Sequence, residues 1–256
     1  VKSADVVLID SDTLLPEATR AGYFLDIYPL VNTDPLINSL DYHAPVWQSF
    51  QWDGGMWAVP VTMDAAMIFY DRQAFDDANL AYPTESWTMT DYEHTVRALT
   101  QFDPDGNTLM PGWINSGGDF GTLFLAAISD TVVNNAALPN VPRYDNPALE
   151  DVLEILARMY VDGLMDIPDD DDFDYEDVPL QLGRAAFNVG GFSFGGNAAK
   201  MPALLPGGRA GLVLDAFAIS SGTQHPEAAY ELLRFLSYSP EVANSFFGGE
   251  PARLSL

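Results

Sequence analysis

The chain has 256 residues, of which 48% are hydrophobic, and 37 acidic residues against 11 basic ones give a formal net charge of −26. This excess of negative charge excludes the basic phosphate contacts that nucleic-acid binding needs, and it repels anionic ligands. No apolar run approaches the roughly 18 residues of a membrane-spanning helix, and the lack of cysteine excludes disulfides and thiolate chemistry. The length allows two lobes or one large domain.

The N-terminal segment predicts a strand that ends in acidic residues. Residues 5–10, DVVLID, form an apolar run that ends at Asp10, and Asp12 follows closely. Residues 14–21 then predict a short helix with Pro16 in its first turn, which Gly22 closes.

Residues 53–72, DGGMWAVPVTMDAAMIFYDR, predict two strands. A turn at residues 53–55 precedes a short strand that ends in a bend at Pro60, and the apolar run 67–70 predicts a strand buried on both faces. Between them, Thr62 and Asp64 are predicted to lie in a polar turn beside an apolar wall. The residues alone equally allow a β-hairpin that simply packs into a core.

Several amphipathic segments predict helices farther along the chain. Thr90 and Glu93 have the spacing of a capping box, which predicts a helix over residues 91–99. Residues 120–129 and 225–236 also predict helices. The longest predicted helix covers residues 148–162. Its expected apolar stripe consists of Leu149, Val152, Leu153, Leu156 and Tyr160.

Residues 166–177, DIPDDDDFDYED, form the strongest run of charge. Carboxylates at this density can hold Ca²⁺, but such runs are more often solvated loops. The twelve-residue spacing of an EF-hand loop is absent from the chain, and we assign no metal site.

The chain carries no strong signature of an enzyme. The metalloprotease pattern HExxH and the hydrolase pattern GxSxG are both absent, and the three histidines occur in unrelated contexts. A glycosidase is the best enzymatic alternative, because it needs only two carboxylates and an aromatic platform. No carboxylate pair stands out in the sequence, so no catalytic residue is assigned.

An ordered series of segments resembles one known family. Residues 53–75, DGGMWAVPVTMDAAMIFYDRQAF, are followed by PTESWT at 83–88, GRAAFNVGG at 183–191 and HPEAAYELLRFL at 225–236. Together they resemble the family 1 extracellular solute-binding proteins of ABC importers, the group that includes the maltose-binding protein. No single segment is specific, but their order covers nearly the whole chain.

The resemblance implies an α/β, two-lobe, periplasmic-binding-protein-like fold of type II, in which each lobe is a mixed sheet flanked by helices. Lobe 1 would comprise residues 1–69 and 206–256, and lobe 2 residues 70–205. The two strands that open the family fold, and its last helices, have no counterpart here. The chain is therefore expected to be incomplete at both ends.

The resemblance also implies a ligand site in the cleft between the lobes, with no cofactor and no covalent chemistry. The polar candidates are Asp10, Asp12, Thr62 and Asp64, and the aromatic candidates are Phe120, Phe192, Trp52 and Trp57. Phe192 replaces the more common tryptophan at the stacking position, which reduces the stacking area. Each candidate could instead serve only in packing or in helix capping.

The candidates include neither arginine nor lysine, which disfavours phosphates and dicarboxylates. A neutral sugar or oligosaccharide is the favoured ligand, and a polyamine is the alternative, because the aspartates could pair with ammonium groups. The implied partner is a membrane ABC permease, and the protein is expected to be a monomer. The implied location is extracellular or periplasmic, with possible attachment through a lipidated N-terminus outside this chain.

Overall fold

The computed structural model describes residues 4–10, 14–115, 120–128, 133–134, 141–165, 174–188, 191–193, 200–240, 242 and 250–255. The strands are β1 (Val6–Asp10), β2 (Gln51–Trp52), β3 (Gly55–Met56), β4 (Val59–Asp71), β5 (Gln101–Phe102), β6 (Thr108–Met110), β7 (Trp113–Asn115), β8 (Val133–Asn134), β9 (Val141–Pro142), β10 (Leu180–Asn188), β11 (Gly191–Ser193), β12 (Lys200–Ala203), β13 (Gly211–Ile219) and β14 (Glu250–Pro251). The helices are α1 (Pro16–Arg20), α2 (Tyr28–Val31), α3 (Ala44–Gln48), α4 (Arg72–Asp77), α5 (Met89–Leu99), α6 (Phe120–Ile128), α7 (Pro147–Val161) and α8 (Pro226–Tyr238). Among the described helices, none has the length and apolar character needed to cross a bilayer.

The chain divides into two compact units. The first consists of Val1–Asp64 and Leu212–Leu256, and the second of Ala65–Gly211. The chain thus leaves the first unit within β4 and returns to it at the start of β13. The lobe limits expected from the sequence, at residues 69/70 and 205/206, stay a prediction.

In the first unit, β1 pairs antiparallel with β13, in a register that runs from Val6 opposite Ile219 to Asp10 opposite Asp215. Strand β13 lies between β1 and β4, and β14 pairs with β4 at Met63 and Thr62. The predicted strand over residues 5–10 is confirmed, and the sheet holds its acidic end in a fixed register.

Strand β4 is continuous over thirteen residues, and this makes the predicted polar turn wrong. Thr62 and Asp64 lie inside the strand, as does Pro60, where a bend was expected. Backbone pairing explains the difference, because β14 and β10 hold β4 extended on both sides of Asp64. A turn there would leave these backbone groups without their partners.

The predicted turn at residues 53–55 is confirmed as the tip of the hairpin formed by β2 and β3. Asp53 and Gly54 have φ values of 54° and 78°, as a two-residue type I′ turn requires. Arg20 clamps the turn from outside, with its Nε 2.7 Å and its Nη2 3.1 Å from the two carboxylate oxygens of Asp53. This bond from Arg20 lowers the pKa of the Asp53 carboxyl.

Two groups of buried side chains form the core of the first unit. The α8 cluster contains Ile27, Val31, Ile37, Met56, Val59, Val61, Phe217, Ile219, Ala229, Tyr230 and Leu233. The hairpin cluster contains Ile9, Leu14, Tyr42, Val46, Phe50, Ala58, Leu214, Ala216, Ala218 and Ala252, and Trp52 and Trp57 pack against it. The hairpin cluster therefore lies beneath the elements that carry Asp10, Trp52 and Trp57.

The second unit is built on the remainder of β4, which pairs antiparallel with β10 and β12. Strand β7 extends the sheet by parallel pairing with β10, so that the sheet is mixed. Helix α7 packs against both α5 and α6. The second-unit core contains Ile68, Phe75, Trp87, Tyr92, Trp113, Leu123, Leu156, Met159, Leu180 and Leu205 among its buried residues.

One local prediction in this unit is wrong and another is confirmed in part. The capping box is formed by Thr88 and Asp91 rather than by Thr90 and Glu93, so that α5 begins two residues earlier. In α7, three residues of the predicted stripe are buried, whereas Leu153 and Tyr160 are exposed. Ile155 and Met159 are buried in their place, because α5 and α6 cover that side of the helix.

Glu93 joins α5 to α7. Its carboxylate is 9% exposed and accepts hydrogen bonds from Arg158 Nη2 at 2.9 Å and from Arg97 Nη2 at 3.2 Å. The bonds from Arg158, followed by those from Arg97, lower the pKa of Glu93. A depressed pKa means that the ionised carboxylate favours the folded state at neutral pH.

Replacing this carboxylate by an amide, Glu93→Gln, should lower the free energy of unfolding by about 1–2 kcal/mol at pH 7, since the three hydrogen bonds from Arg97 and Arg158 lose their ionised acceptor. The advantage of the wild-type protein should be complete above about pH 4.3, the ordinary pKa of glutamate. It should disappear as the pH falls through the lower pKa of the folded state. Urea unfolding between pH 3 and 7 measures this, with the exposed Glu85→Gln as control. A pH-independent loss would contradict the role of the charge.

Gly55 lies in close packing at the hairpin. A Cβ atom there would lie 3.0 Å from Cζ2 of Trp57 and 3.1 Å from Cγ of Asp26. The substitution Gly55→Ala should therefore cost about 1–3 kcal/mol through overpacking, and the displaced indole should change the tryptophan fluorescence. Gly54→Asn is the control, because space around Gly54 is open and asparagine tolerates positive φ. Equal stability of the two variants would contradict this account.

Candidate functional site

Two carboxylates face each other at one end of the first-unit sheet. Asp10 is the last residue of β1 and lies directly opposite Asp215 of β13. Side chains of directly opposed residues project from the same face of an antiparallel pair. Asp10 is exposed and Asp215 is half-buried, so this face presents two acidic side chains together.

Thr62 does not present its hydroxyl to the surface. Its side chain is 2% exposed, and its Oγ1 donates a hydrogen bond to Oδ2 of Asp215 at 2.9 Å. The hydroxyl therefore holds the Asp215 carboxylate in place. Burial and the bond to Asp215 keep the hydroxyl inside the protein, and the predicted contact of Thr62 with a ligand stays a prediction.

Asp64 lies two residues beyond Thr62 on β4. Because side chains alternate along a strand, Asp64 and Thr62 project from the same face of β4. Asp64 is half-buried and is the last residue of the first unit. The structure therefore places Asp64 on the face of β4 from which Thr62 reaches Asp215.

The two tryptophans of the hairpin form a stacked pair. Their ring centroids are 6.2 Å apart and their planes differ by 27°. Trp52 Nε1 donates to Oγ1 of Thr19 at 2.8 Å, and Trp57 Nε1 donates to the carbonyl of Trp52 at 3.2 Å. Both rings remain half-buried. The indole N–H groups are thus satisfied within the protein, and the exposed parts of the rings are apolar.

The tryptophan pair packs against side chains from the opposite face of β1 and β13. Ile9 and Leu214 belong to the hairpin cluster against which both tryptophans pack, and because they precede Asp10 and Asp215 they project from the other face of their strands. The first unit therefore carries carboxylate acceptors and aromatic surface on elements that are anchored in one core cluster. We call Asp10, Asp215, Thr62, Trp52 and Trp57 the first-unit site.

Three further predicted site residues cannot be added to it. Asp12 lies outside the described residues. Phe120 is the first residue of α6, and Phe192 lies on β11 opposite Phe187. Both belong to the second unit, and their side chains lie outside the part of the chain that the structure describes. Their predicted contacts with ligand stay predictions.

Asp215 is the residue that sequence reasoning missed. The available signal was one acidic residue in the middle of the apolar run GLVLDAFAI, which forms β13. Burying a charge in such a strand is unfavourable unless the carboxylate is used. The register that sets Asp215 opposite Asp10 depends on pairing between distant segments, which the sequence does not display.

A cavity of about 400 Å³ in the first unit does not coincide with this site. It is lined by residues between Tyr28 and Met56, including Asn32, Asp34 and Trp47, and by none of the predicted site residues. Within the described ranges, no group of three or more histidine, aspartate or glutamate side chains is placed to hold a metal ion. Residues 166–173 of the acidic run lie outside those ranges.

Solved structures similar to this chain are solute-binding proteins. MalE of Xanthomonas citri is 20% identical with a TM-score of 0.70, over 98% of this chain and 66% of its own. Lmo0181 of Listeria monocytogenes, solved with cycloalternan, is 16% identical with a TM-score of 0.69, over 97% and 66%. UgpB of Mycobacterium tuberculosis, solved with glycerophosphocholine, is 15% identical with a TM-score of 0.70, over 100% and 66%.

The chain therefore spans slightly less than two thirds of the length of these three proteins. At these identities the likeness shows the fold, and it confirms the predicted α/β fold of type II periplasmic-binding proteins. A comparison with curated proteins found no match. The family model for bacterial extracellular solute-binding proteins matches residues 2–243, nearly the whole chain, and the chain therefore belongs to that family.

Proposed function

We propose that this chain binds a neutral sugar or sugar alcohol and delivers it to the permease of an ABC importer. The observation that carries the proposal is the first-unit site, in which Asp10 and Asp215 share one face of the sheet and a stacked tryptophan pair packs against the hairpin cluster of the same unit. Sugars suit such a site, because hydroxyls donate to carboxylates and C–H faces lie against aromatic rings.

The charges of the site disfavour anionic ligands. Arg20, which adjoins the Trp52 partner Thr19, already binds both carboxylate oxygens of Asp53. None of the residues that form the first-unit site is an arginine or a lysine, so a phosphate or dicarboxylate would meet the Asp10 and Asp215 carboxylates without a cationic partner in that site.

The similar structures give independent support for a polyhydroxy ligand. Three more of them were solved with mannobiose, with D-mannitol and with α-D-tagatose. UgpB, by contrast, binds glycerophosphocholine, a ligand with charged groups. The two units described above would serve as the two lobes, and an extracellular or periplasmic location follows from the family. Monomeric state, lipid attachment and absence of turnover are parts of the proposal.

A polyamine remains a second candidate, because two opposed carboxylates also attract ammonium groups. Calorimetric titration and thermal unfolding with mannobiose, D-mannitol, D-tagatose, maltose, spermidine and succinate separate the two. A ligand present at about 100 times its Kd should raise the free energy of unfolding by about 2.7 kcal/mol. A stabilising sugar that is recovered intact supports the proposal, whereas stabilisation by spermidine alone, abolished by salt, would overturn it.

Removing one indole, by Trp57→Ala, should weaken sugar binding about tenfold, which corresponds to about 1.4 kcal/mol of lost stacking and burial. Trp57→Phe keeps an aromatic face and should retain most of the affinity. Tyr144→Ala removes an exposed aromatic ring of the second unit and serves as the control. Circular dichroism must show that each variant is folded. Unchanged affinity in a folded Trp57→Ala protein would exclude Trp57 from the binding surface.

A further inference from the structure

We infer that Asp215 is a ligand-binding residue of the first-unit site and that Thr62 positions its carboxylate. This inference rests on the proposed function and deepens it, because it identifies the group that selects for ligands rich in hydrogen-bond donors. The sequence alone pointed to Thr62 as a direct contact and did not indicate Asp215.

The surroundings of Thr62 hold its hydroxyl in a fixed position. Its side chain is 2% exposed, and its backbone lies opposite Pro251 in the pairing of β4 with β14. As a β-branched residue it has few accessible χ1 rotamers, so its hydroxyl is a fixed donor. Because that donor lies 2.9 Å from Oδ2 of Asp215, it restricts the rotation of the carboxylate.

The hydrogen bond from Thr62 occupies only part of the acceptor capacity of Asp215. An ionised carboxylate offers about four acceptor positions on its two oxygens, and Thr62 occupies one of them. Asp215 is half-buried between Leu214 and Ala216, which are 1% and 0% exposed. The remaining acceptor positions are therefore held in a partly desolvated setting, where a bond to a hydroxyl is stronger than in water.

Asp10 lies directly opposite Asp215 across the sheet and carries the same carboxylate group. Like charges in directly opposed positions destabilise a sheet. A ligand that donates hydrogen bonds to Asp10 and Asp215 lowers this repulsion, whereas a ligand that only accepts them does not. The pair therefore favours polyols with two hydroxyls on one edge.

The test compares Asp215→Asn, Thr62→Val and Thr62→Ser with the wild-type protein by calorimetric titration. The probes are the panel sugar that the wild type binds most tightly, together with its monodeoxy analogues. Asp215→Asn should weaken binding of the parent sugar at least tenfold. It should also reduce the preference for the parent over one of the analogues, since the amide offers fewer acceptor positions. Asp105→Asn, at an exposed turn of the second unit, is the charge-matched control.

The two threonine variants separate positioning from packing. Thr62→Val keeps the shape and loses the hydroxyl, and Thr62→Ser keeps the hydroxyl and loses a methyl group. If Thr62 positions Asp215, the affinity should fall about three- to tenfold in Thr62→Val and return to the wild-type value in Thr62→Ser. A purely structural role would instead make affinity follow thermal stability in both variants.

The outcomes distinguish this inference from the proposed function. Sugar binding at wild-type affinity by folded Asp215→Asn and Thr62→Val would overturn the inference and leave the proposed function intact. Binding of spermidine alone, weakened tenfold in Asp215→Asn, would overturn the sugar assignment and retain Asp215 as a ligand-binding residue. A wild-type chain that binds no probe would contradict the proposed function and this inference together.

Discussion

Strand β4 must stay extended for thirteen residues, because neighbouring strands bond to its backbone in both units. This constraint determines what its polar residues can do. A threonine in a surface turn is free to contact a ligand, whereas Thr62 in a paired strand is buried and donates to Asp215. The pairing of this strand is therefore the reason that we propose Asp215, rather than Thr62, as the residue that contacts the ligand.

The sequence predicts the features of this fold that depend on neighbouring residues. The Asp53–Gly54 turn, the strand that ends at Asp10 and most of the helices follow from local propensity and periodicity. Features that depend on distant partners are missed. The buried face of α7 includes Met159 and excludes Tyr160, because α5 and α6 decide which side is covered. Asp215 is missed for the same reason, since its role arises from the pairing of β13 with β1.

The few arginines of this acidic chain join segments that are distant in sequence. Arg20 binds Asp53 of the hairpin, Arg158 links α7 to Glu93 of α5, and Arg253 binds Asp41 at 2.7 Å. With a net charge of −26, each of these cations also relieves repulsion among carboxylates. Because these arginines bind carboxylates of the scaffold, they are consistent with a ligand site that depends on acceptor groups and aromatic surface.

The Asp10–Asp215 pair differs in polarity from the other residue pairs between β1 and β13. Elsewhere in that register β1 and β13 pair apolar residues, whereas this end pairs two like charges. Natural proteins depart from local consistency mostly at functional sites, where other interactions compensate the cost. The bond from Thr62 compensates part of it by donating to one acceptor position of Asp215 from a buried hydroxyl. The proposed polyol ligand would supply further donors without the strong dependence on salt that a cation would bring.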